Sequence, residues 1–510
     1  MCGIAGIVSH DESAANRVRL ALFAEQHRGQ ESCGVAYTDS ASLRIFKTMG
    51  LVKQVLTPDF LKSAPAMAAI GHVRYPTQGS VDIANAQPHL ITHNGKPVFA
   101  ISSNGDIVNY YEVRGRLEAE GLTFHSENDG ELLGNYLLWR HVLCGRKMTD
   151  AIRDLMETVK GAFSTVVLMP DGTLYALRDP FGIRPFVYGY HAESKSTVFV
   201  SESVALDIIG AEFRRAVHPG EILIADRNGV RSEIGVKTTG AGHAHCIFEL
   251  IYFSRPDSLI FDMQKPEKTM FGDAANGANK PTHIHAFRRH LGQKLAERDA
   301  GLNADAVIAI PDSGNFIALG YSEKSGVPFR IGMVRNHYVG RTFIQPEQRY
   351  RDESVREKFN PVPGFFEGKR VAVVDDSIVR GTTMRKLVAI IREAGAREIH
   401  LRIGSPPMRY SCFYGVDTPH REHLIANIAG DKKQVPLEDI EKKVGEYLRV
   451  DSLHYLSLDE LRGIGRPIDH FCYACFNGDY AIGMKDAPKA AYATPAAKVA
   501  ATPPSGPIKP

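Results

Sequence analysis

The sequence predicts two folded units of different class: an α+β layered domain over residues 2–239, then an α/β domain with a parallel sheet over residues 240–484. Three observations carry that expectation. The chain has 510 residues, enough for two to four domains at roughly 100–200 residues each. In the first half, short strand runs such as Thr165-Val166-Val167-Leu168-Met169 and Thr197-Val198-Phe199-Val200 are interleaved with helical patterns near 14–26, 110–120 and 130–142, with no regular strand–helix rhythm. After Gly240 the plan changes. Ala306-Val307-Ile308-Ala309-Ile310 runs into the loop Pro311-Asp312-Ser313-Gly314 and a helix to about Lys324. Val371-Ala372-Val373-Val374 runs into a loop over 375–383 and a helix to about Ala394. Such units build a parallel sheet with ligand loops at the carboxyl ends of its strands.

Composition narrows the class. Hydrophobic residues are 44% and charged residues 23%, which excludes wholesale disorder. The formal charge is +3, all of it carried by the Ala- and Pro-rich tail 485–510, so the body offers no electrostatic footprint for nucleic acid or an acidic membrane. That tail is expected to be disordered, and 264–281 to be a surface loop. No apolar run approaches the ~18–20 residues that span a bilayer. The N-terminus has no basic leader and meets Asp11 and Glu12 too early for a signal peptide. Seven cysteines in so long a chain make no disulfide scaffold. A soluble, cytoplasmic enzyme is expected.

Cys2 directly follows Met1, so removal of Met1 would place a thiol and an α-amino group on one residue. An α-amino group titrates near pH 8 and can accept its own nucleophile's proton. Alone, a cysteine there reads as a small buried hydrophobe. Three further segments shift the balance. Gly71-His72-Val73-Arg74-Tyr75-Pro76-Thr77 offers an arginine suited to a carboxylate. Ser103-Asn104-Gly105-Asp106 offers a side-chain amide and a glycine N–H, the donor pair of an oxyanion hole. Asn128-Asp129-Gly130-Glu131 offers a carboxylate for a substrate ammonium. Singly, Asn-Gly is a hairpin turn and Arg-Tyr-Pro a surface loop.

Together with Gln26-His27-Arg28-Gly29-Gln30-Glu31-Ser32, these motifs resemble the class II, N-terminal-nucleophile glutamine amidotransferases, in family order. The resemblance implies a glutaminase sandwich in which Cys2 attacks the glutamine amide and releases ammonia through a thioester. It places Arg74, Tyr75, Thr77 and Asp129 on glutamine, and Asn104 with Gly105 at the oxyanion. Asn94-Gly95 is a superficial competitor for that last role. Asn104-Gly105 is preferred because Asp106-Ile107-Val108-Asn109 and the helix after it continue the family pattern.

In the second half, two acids, Asp375 and Asp376, close an apolar strand. Ser377 and Arg380-Gly381-Thr382-Thr383 then lead into a helix. Backbone N–H groups and the helix N-terminus there suit a phosphate, and the acids suit ribose hydroxyls or a hydrated Mg²⁺. Without its neighbours, the acid pair could equally be a receiver-type pocket or a plain turn. There is no GxxxxGK[ST] loop. The stretch resembles the phosphoribosyl pyrophosphate motif of type I phosphoribosyltransferases. With Arg335-Asn336-His337-Tyr338-Val339-Gly340-Arg341-Thr342, the chain resembles the amidophosphoribosyltransferases over nearly all of residues 2–484. That resemblance implies Mg²⁺ at Ser313, Asp375 and Asp376, and phosphoribosyl pyrophosphate on Asp375 to Ser377 and Arg380 to Thr383. Arg341 and Lys358 would be further contacts, and 335–351 a loop that closes over the substrate.

Cys472-Tyr473-Ala474-Cys475 is a CxxC, which in the cytoplasm suggests a redox dithiol or half of a metal site. The segments around Cys246, Cys412 and Cys472–Cys475 resemble the iron–sulfur subgroup of the same family, which implies a structural 4Fe–4S cluster on those four residues. Cys33 and Cys144 are expected in the core. The family also implies a homotetramer inhibited by purine nucleotides. A phosphoribosyl pyrophosphate-sensing regulator is the alternative from another class. It would be expected to lack Cys2 and the oxyanion residues.

Overall fold

The computed structural model describes residues 1–38, 42–76, 80–237, 242–259, 283–338, 355–418, 420–430, 435–464 and 470–482. The 264–281 segment, the 485–510 tail, Thr77, Arg341 and most of the expected closing loop lie outside these residues. No helix among them is long and apolar enough to cross a membrane.

The first half contributes strands β1 (Gly3–Val8), β2 (Ser32–Thr38), β3 (Leu43–Met49), β4 (Ala68–Arg74), β5 (His89–His93), β6 (Lys96–Ile107), β7 (Gly161–Leu168), β8 (Leu174–Arg178), β9 (Val187–His191), β10 (Ser196–Val200), β11 (Glu212–Ala216), β12 (Glu221–Asp226) and β13 (Gly229–Ile234). They form two sheets, ordered β11-β9-β10-β1-β4-β2-β3 and β13-β12-β8-β7-β6-β5. β1 shows why the N-terminal run is wholly apolar. Ile4 and Val8 pack with Ala100, Val166, Leu174 and Leu223 of the other sheet. Ala5 and Ile7 pack with Val18 and Leu22 of the helix Ala14–Ala24. A strand buried on both faces cannot alternate apolar with polar. Helices Tyr110–Ala119, Asp129–Leu137 and Met148–Thr158 cover the second sheet's outer face over Phe99, Ile101, Phe163 and Val167. The order helix, sheet, sheet, helix is the expected α+β layering.

Two details differ from expectation. The helical pattern over 130–142 is an α-helix only to Leu137 and continues as a π-helical turn, Leu138–Leu143, closed by Cys144 N–H donating to Trp139 O at 2.9 Å. Cys144 is exposed rather than in the core, because the chain leaves the packed layer after Trp139 and surfaces there. Cys33, inside β2, is fully buried as expected.

The second half adds β14 (His245–Cys246), β15 (Ala306–Ala309), β16 (Met333–Arg335), β17 (Phe359–Pro361), β18 (Arg370–Asp375), β19 (Glu398–Ile403), β20 (Ser452–Tyr455) and β21 (Phe471–Cys472). The sheet β15-β18-β19-β20 is parallel at each pairing. Val371 and Val373 pack with Leu387, Ile391 and Val444 on one face, under helices Thr382–Glu393 and Leu437–Leu448. Ala372 and Val374 pack on the other with Leu291 and Ile317, under helices Ile284–Glu297 and Asn315–Ser325. This second core also takes in Met1, Val108, Ala162 and Ile183 from the first half, so the two halves share one hydrophobic interface.

Candidate active site

β1 and β4 are paired with Gly3 opposite Val73, and β2 pairs with β4 at Ser32 and Arg74. Cys2 and Arg74 therefore meet at one end of the first sheet. Cys2 is held by its backbone on both sides: its N–H donates to Asn104 Oδ1 at 3.1 Å, and its carbonyl accepts from Arg28 Nε at 2.9 Å. Its Sγ lies 3.7 Å from the Tyr75 carbonyl. Asn104 and Gly105 lie within β6, opposite Ser164 and Phe163 of β7. Asn94 and Gly95 instead form the turn between β5 and β6, where both have positive φ.

Two orphaned atoms of opposite type belong to residues that neighbour Cys2. Asn104 Nδ2 is a buried donor without a partner, and Asp129 Oδ1 a buried acceptor without one. Asp129 opens the helix Asp129–Leu137, which Asn128 caps by accepting from Gly130 N–H at 2.8 Å. Burial, reinforced by the charge of Asp106, pushes the Asp129 carboxyl well above the ordinary range. A bound ammonium would reverse that. Arg74 is fully buried and places Nη1 2.8 Å from both carboxylate oxygens of Glu31. A substrate carboxylate would thus share or displace Glu31.

Gly105 is required by a close approach of strands: a Cβ there would lie 1.9 Å from the Ala162 carbonyl oxygen. Gly105→Ala is expected to cost about 3 kcal/mol or more, read as a fall in Tm or as loss of folded protein. An unchanged Tm would show that β6 and β7 can part at no cost.

The parallel sheet delivers the second constellation at the carboxyl ends of β15 and β18. Asp376 N–H donates to Asp375 Oδ1 at 2.9 Å, Ser313 Oγ lies 3.5 Å from the same oxygen, and Ser377 Oγ donates to Asp376 Oδ1. Both carboxyls are buried and raised, Asp375 well above its ordinary value, by burial first and then by the neighbouring Asp376 charge. Such a pair calls for a cation, and two carboxylates with a hydroxyl suit Mg²⁺. The buried Arg288 supplies positive charge near Asp376 while donating to the carbonyls of Leu250, Tyr252 and Ser254. Gly381, with φ +75°, turns the chain into the helix Thr382–Glu393. Thr382 and Thr383 open that helix, whose first N–H groups are free to meet an anion. Lys358 stands beside β17 with its ammonium 5.3 Å from the Phe359 ring.

Cys246, Cys412, Cys472 and Cys475 line one cavity together with Arg184, Phe248, Met408 and Tyr414. β14 and β21 bring Cys246 opposite Cys472. Tyr414 N–H lies 3.3 Å from Cys412 Sγ, and no disulfide joins the four. Burial pushes the Cys246 thiol up to about 11. Cys475 is raised well above its usual value by burial and then by Cys472, Cys246 and Cys412. Among the described residues, no group of three or more His, Cys, Asp or Glu side chains is gathered to hold a metal ion. The thiols surround a cavity rather than a point.

Arg28, Arg184, Glu249 and Arg288 are site-building residues to which the sequence patterns assign no role. Arg28 lies in the motif 26–32 and Glu249 just after Cys246, yet their pairing spans distant segments, with Arg28 Nη2 2.8 Å from Glu249 Oε1.

Comparison with known proteins agrees with both halves. A glutamine amidotransferase domain model matches residues 77–207, and a phosphoribosyl transferase domain model residues 279–403. Amidophosphoribosyltransferase 1, chloroplastic, of Arabidopsis thaliana is 41% identical over 483 residues, covering 94% of this chain and 78% of its own. The amidophosphoribosyltransferase of Synechococcus elongatus is 40% identical over 488 residues, covering 95% and 92%. The solved structure of glutamine phosphoribosylpyrophosphate amidotransferase from B. subtilis, complexed with ADP and GMP, is 37% identical with a TM-score of 0.79, over 94% of this chain and 97% of that one.

Proposed function

The chain belongs to the amidophosphoribosyltransferase family, and on that premise we propose roles for its residues in the two half-reactions. The activity itself is glutamine-dependent amidotransfer to phosphoribosyl pyrophosphate in purine biosynthesis, which yields phosphoribosylamine, glutamate and pyrophosphate. The observation that carries the residue assignment is the pair of orphaned atoms beside Cys2, since glutamine supplies the ammonium that Asp129 Oδ1 lacks and the developing oxyanion that Asn104 Nδ2 lacks.

The Cys2 thiol attacks the side-chain amide carbon, with its own α-amino group taking the proton once Met1 is removed. Asn104 Nδ2 and the Gly105 N–H receive the oxyanion. Ammonia leaves, and water resolves the thioester to glutamate. Arg74, with Tyr75 and Thr77 after it, holds the α-carboxylate end. In the second half, Ser377 and Arg380 to Thr383 hold the 5′-phosphate, while Arg341 and Lys358 contact the pyrophosphate. Ser313, Asp375 and Asp376 would hold Mg²⁺, which when bound would supply positive charge to the pyrophosphate leaving group. Ammonia passing between the sites would stay an unprotonated nucleophile if kept from water, and the apolar core that the two halves share supports such a passage.

The finer assignments rest on the same premise. The division falls near residues 239 and 240, the compartment is the cytoplasm, and purine nucleotides inhibit a homotetramer. The nucleotide reading is supported by the B. subtilis relative's complex with ADP and GMP. Cys246, Cys412, Cys472 and Cys475 hold a 4Fe–4S cluster of structural role. Four free thiols around one apolar-walled cavity support it, since a four-iron cluster takes one thiolate per iron. Iron, acid-labile sulfide and zinc per chain, measured after anaerobic purification, test this. About four iron and four sulfide, lost in Cys472→Ser, are expected. Stoichiometric zinc, or active protein with no metal, would overturn the cluster.

A further inference from the structure

Neither half-reaction uses Arg184, although it is fully buried. Arg184 is one of the residues that line the cavity the four cysteines surround. Nη1 reaches Met1 Sδ and, at 3.4 Å, Glu249 Oε1. Nε and Nη2 are buried with no hydrogen-bond partner. Donors of a charged group left unmet inside a protein are costly, and native structures keep few of them.

Glu249 does not satisfy them. Its Oε1 also accepts from Arg28 Nη2 at 2.8 Å, and its Oε2 from Arg28 Nη1 at 3.1 Å and Ser254 Oγ at 2.8 Å. One carboxylate thus serves two guanidiniums, and the shorter contacts go to Arg28. Arg184 keeps surplus positive charge and two unmet N–H-bearing nitrogens. A tetrathiolate site is anionic whether it holds a divalent ion or an oxidised four-iron core, because four negative sulfurs outweigh either.

We infer that Arg184 is the counter-cation of the group bound by Cys246, Cys412, Cys472 and Cys475, with its Nε and Nη2 protons reserved for that group. The inference rests on the metal-binding reading of those cysteines given above. It makes Arg184 a positioning residue for the bound group rather than a catalytic one.

The test compares full-length wild type, Arg184→Lys, Arg184→Met and the double variant Arg184→Met/Glu249→Gln, all purified anaerobically. The double variant lowers the uncompensated negative charge that the single Met variant leaves, and so keeps the test open if that variant folds poorly. Iron, sulfide and zinc per chain are measured first, then the rate of metal loss to excess EDTA and, for iron, the midpoint potential by redox titration. Loss of a second-shell partner typically weakens metal binding about 10–100-fold, so both Met variants should release metal faster by about that factor. Their midpoint should move to more negative potential, since a removed positive charge disfavours the added electron. Arg184→Lys should restore most of the shift. A purely structural arginine would move Tm but not the potential. Iron-loaded wild type, with retention and potential unchanged in the Met variants, would overturn the inference and leave the cluster standing. Wild type without iron would overturn the cluster reading. If zinc replaces it, faster zinc release from the Met variants supports the counter-cation and unchanged release overturns it. Active wild type with no metal overturns both.

Discussion

Cys2→Ala is expected to lower glutamine-dependent turnover by at least about 10⁴-fold, in line with removal of other enzymes' nucleophiles, while turnover with added ammonium salt persists. The asymmetry comes from where Cys2 sits. In the proposed mechanism its side chain is the reacting group of the first half-reaction alone, and Asp375, Asp376 and the helix opening at Thr382 lie at the end of a separate sheet. Alanine also leaves the local backbone held. The Cys2 N–H bond to Asn104 and the carbonyl bond from Arg28 both involve main-chain atoms that the substitution keeps. Pyrophosphate release with glutamine or ammonium chloride as nitrogen source, at a pH where much of the ammonia is unprotonated, separates the two activities. Glutamine use that survived in the variant would remove Cys2 from the mechanism. Loss of both activities would mean instead that the N-terminal strand organises the second site.

Residues that act through local chain geometry are legible in the sequence, and those that act through distant pairing are not. Asp375 and Asp376 can be read because a strand, two acids, hydroxyls and a helix succeed one another within a single stretch, and β18 and the helix Thr382–Glu393 keep that order. Asn104 can be separated from Asn94 by the residues on its C-terminal side, and the structure makes Asn94-Gly95 a hairpin turn and places Asn104 against Cys2. Layering is readable for the same reason, since strands buried on both faces, such as β1, lose their polar alternation. By contrast, the Arg28–Glu249–Arg184 cluster joins three segments that become neighbours only when the two halves dock, and no periodicity marks such charges. Glu31 belongs to the motif 26–32, yet its grip on Arg74 needs β2 and β4 side by side. Cys144 shows the opposite error. A cysteine is most often buried, but here the π-helical turn carries it to the surface.

Asp376→Asn should depress glutamine- and ammonia-dependent turnover together, by about 10²–10³-fold, the loss typical when one group that balances transition-state charge is removed. Hydrolysis of glutamine at Cys2 should continue. The substitution keeps shape and removes charge. Ser377 Oγ can still donate to the side-chain oxygen, and the Asp376 N–H still donates to Asp375 Oδ1. The loss is half of the negative charge that the proposed cation would meet at the ends of β15 and β18. The stability change should run the other way. Burial raises both carboxyls, and the Asp376 charge further raises Asp375. Neutralising Asp376 therefore relieves a buried like-charge repulsion, and in the absence of Mg²⁺ the variant's Tm should be no lower than wild type. Arg288 sets the limit on that gain. It loses a nearby negative charge, but its three bonds to the carbonyls of Leu250, Tyr252 and Ser254 are untouched. A variant with equal or higher Tm and crippled turnover would mark the acid pair as a strained, functional site, held in place by the fold at a cost in stability. A marked fall in Tm with activity retained would reverse the assignment and make Asp376 a structural partner of Arg288.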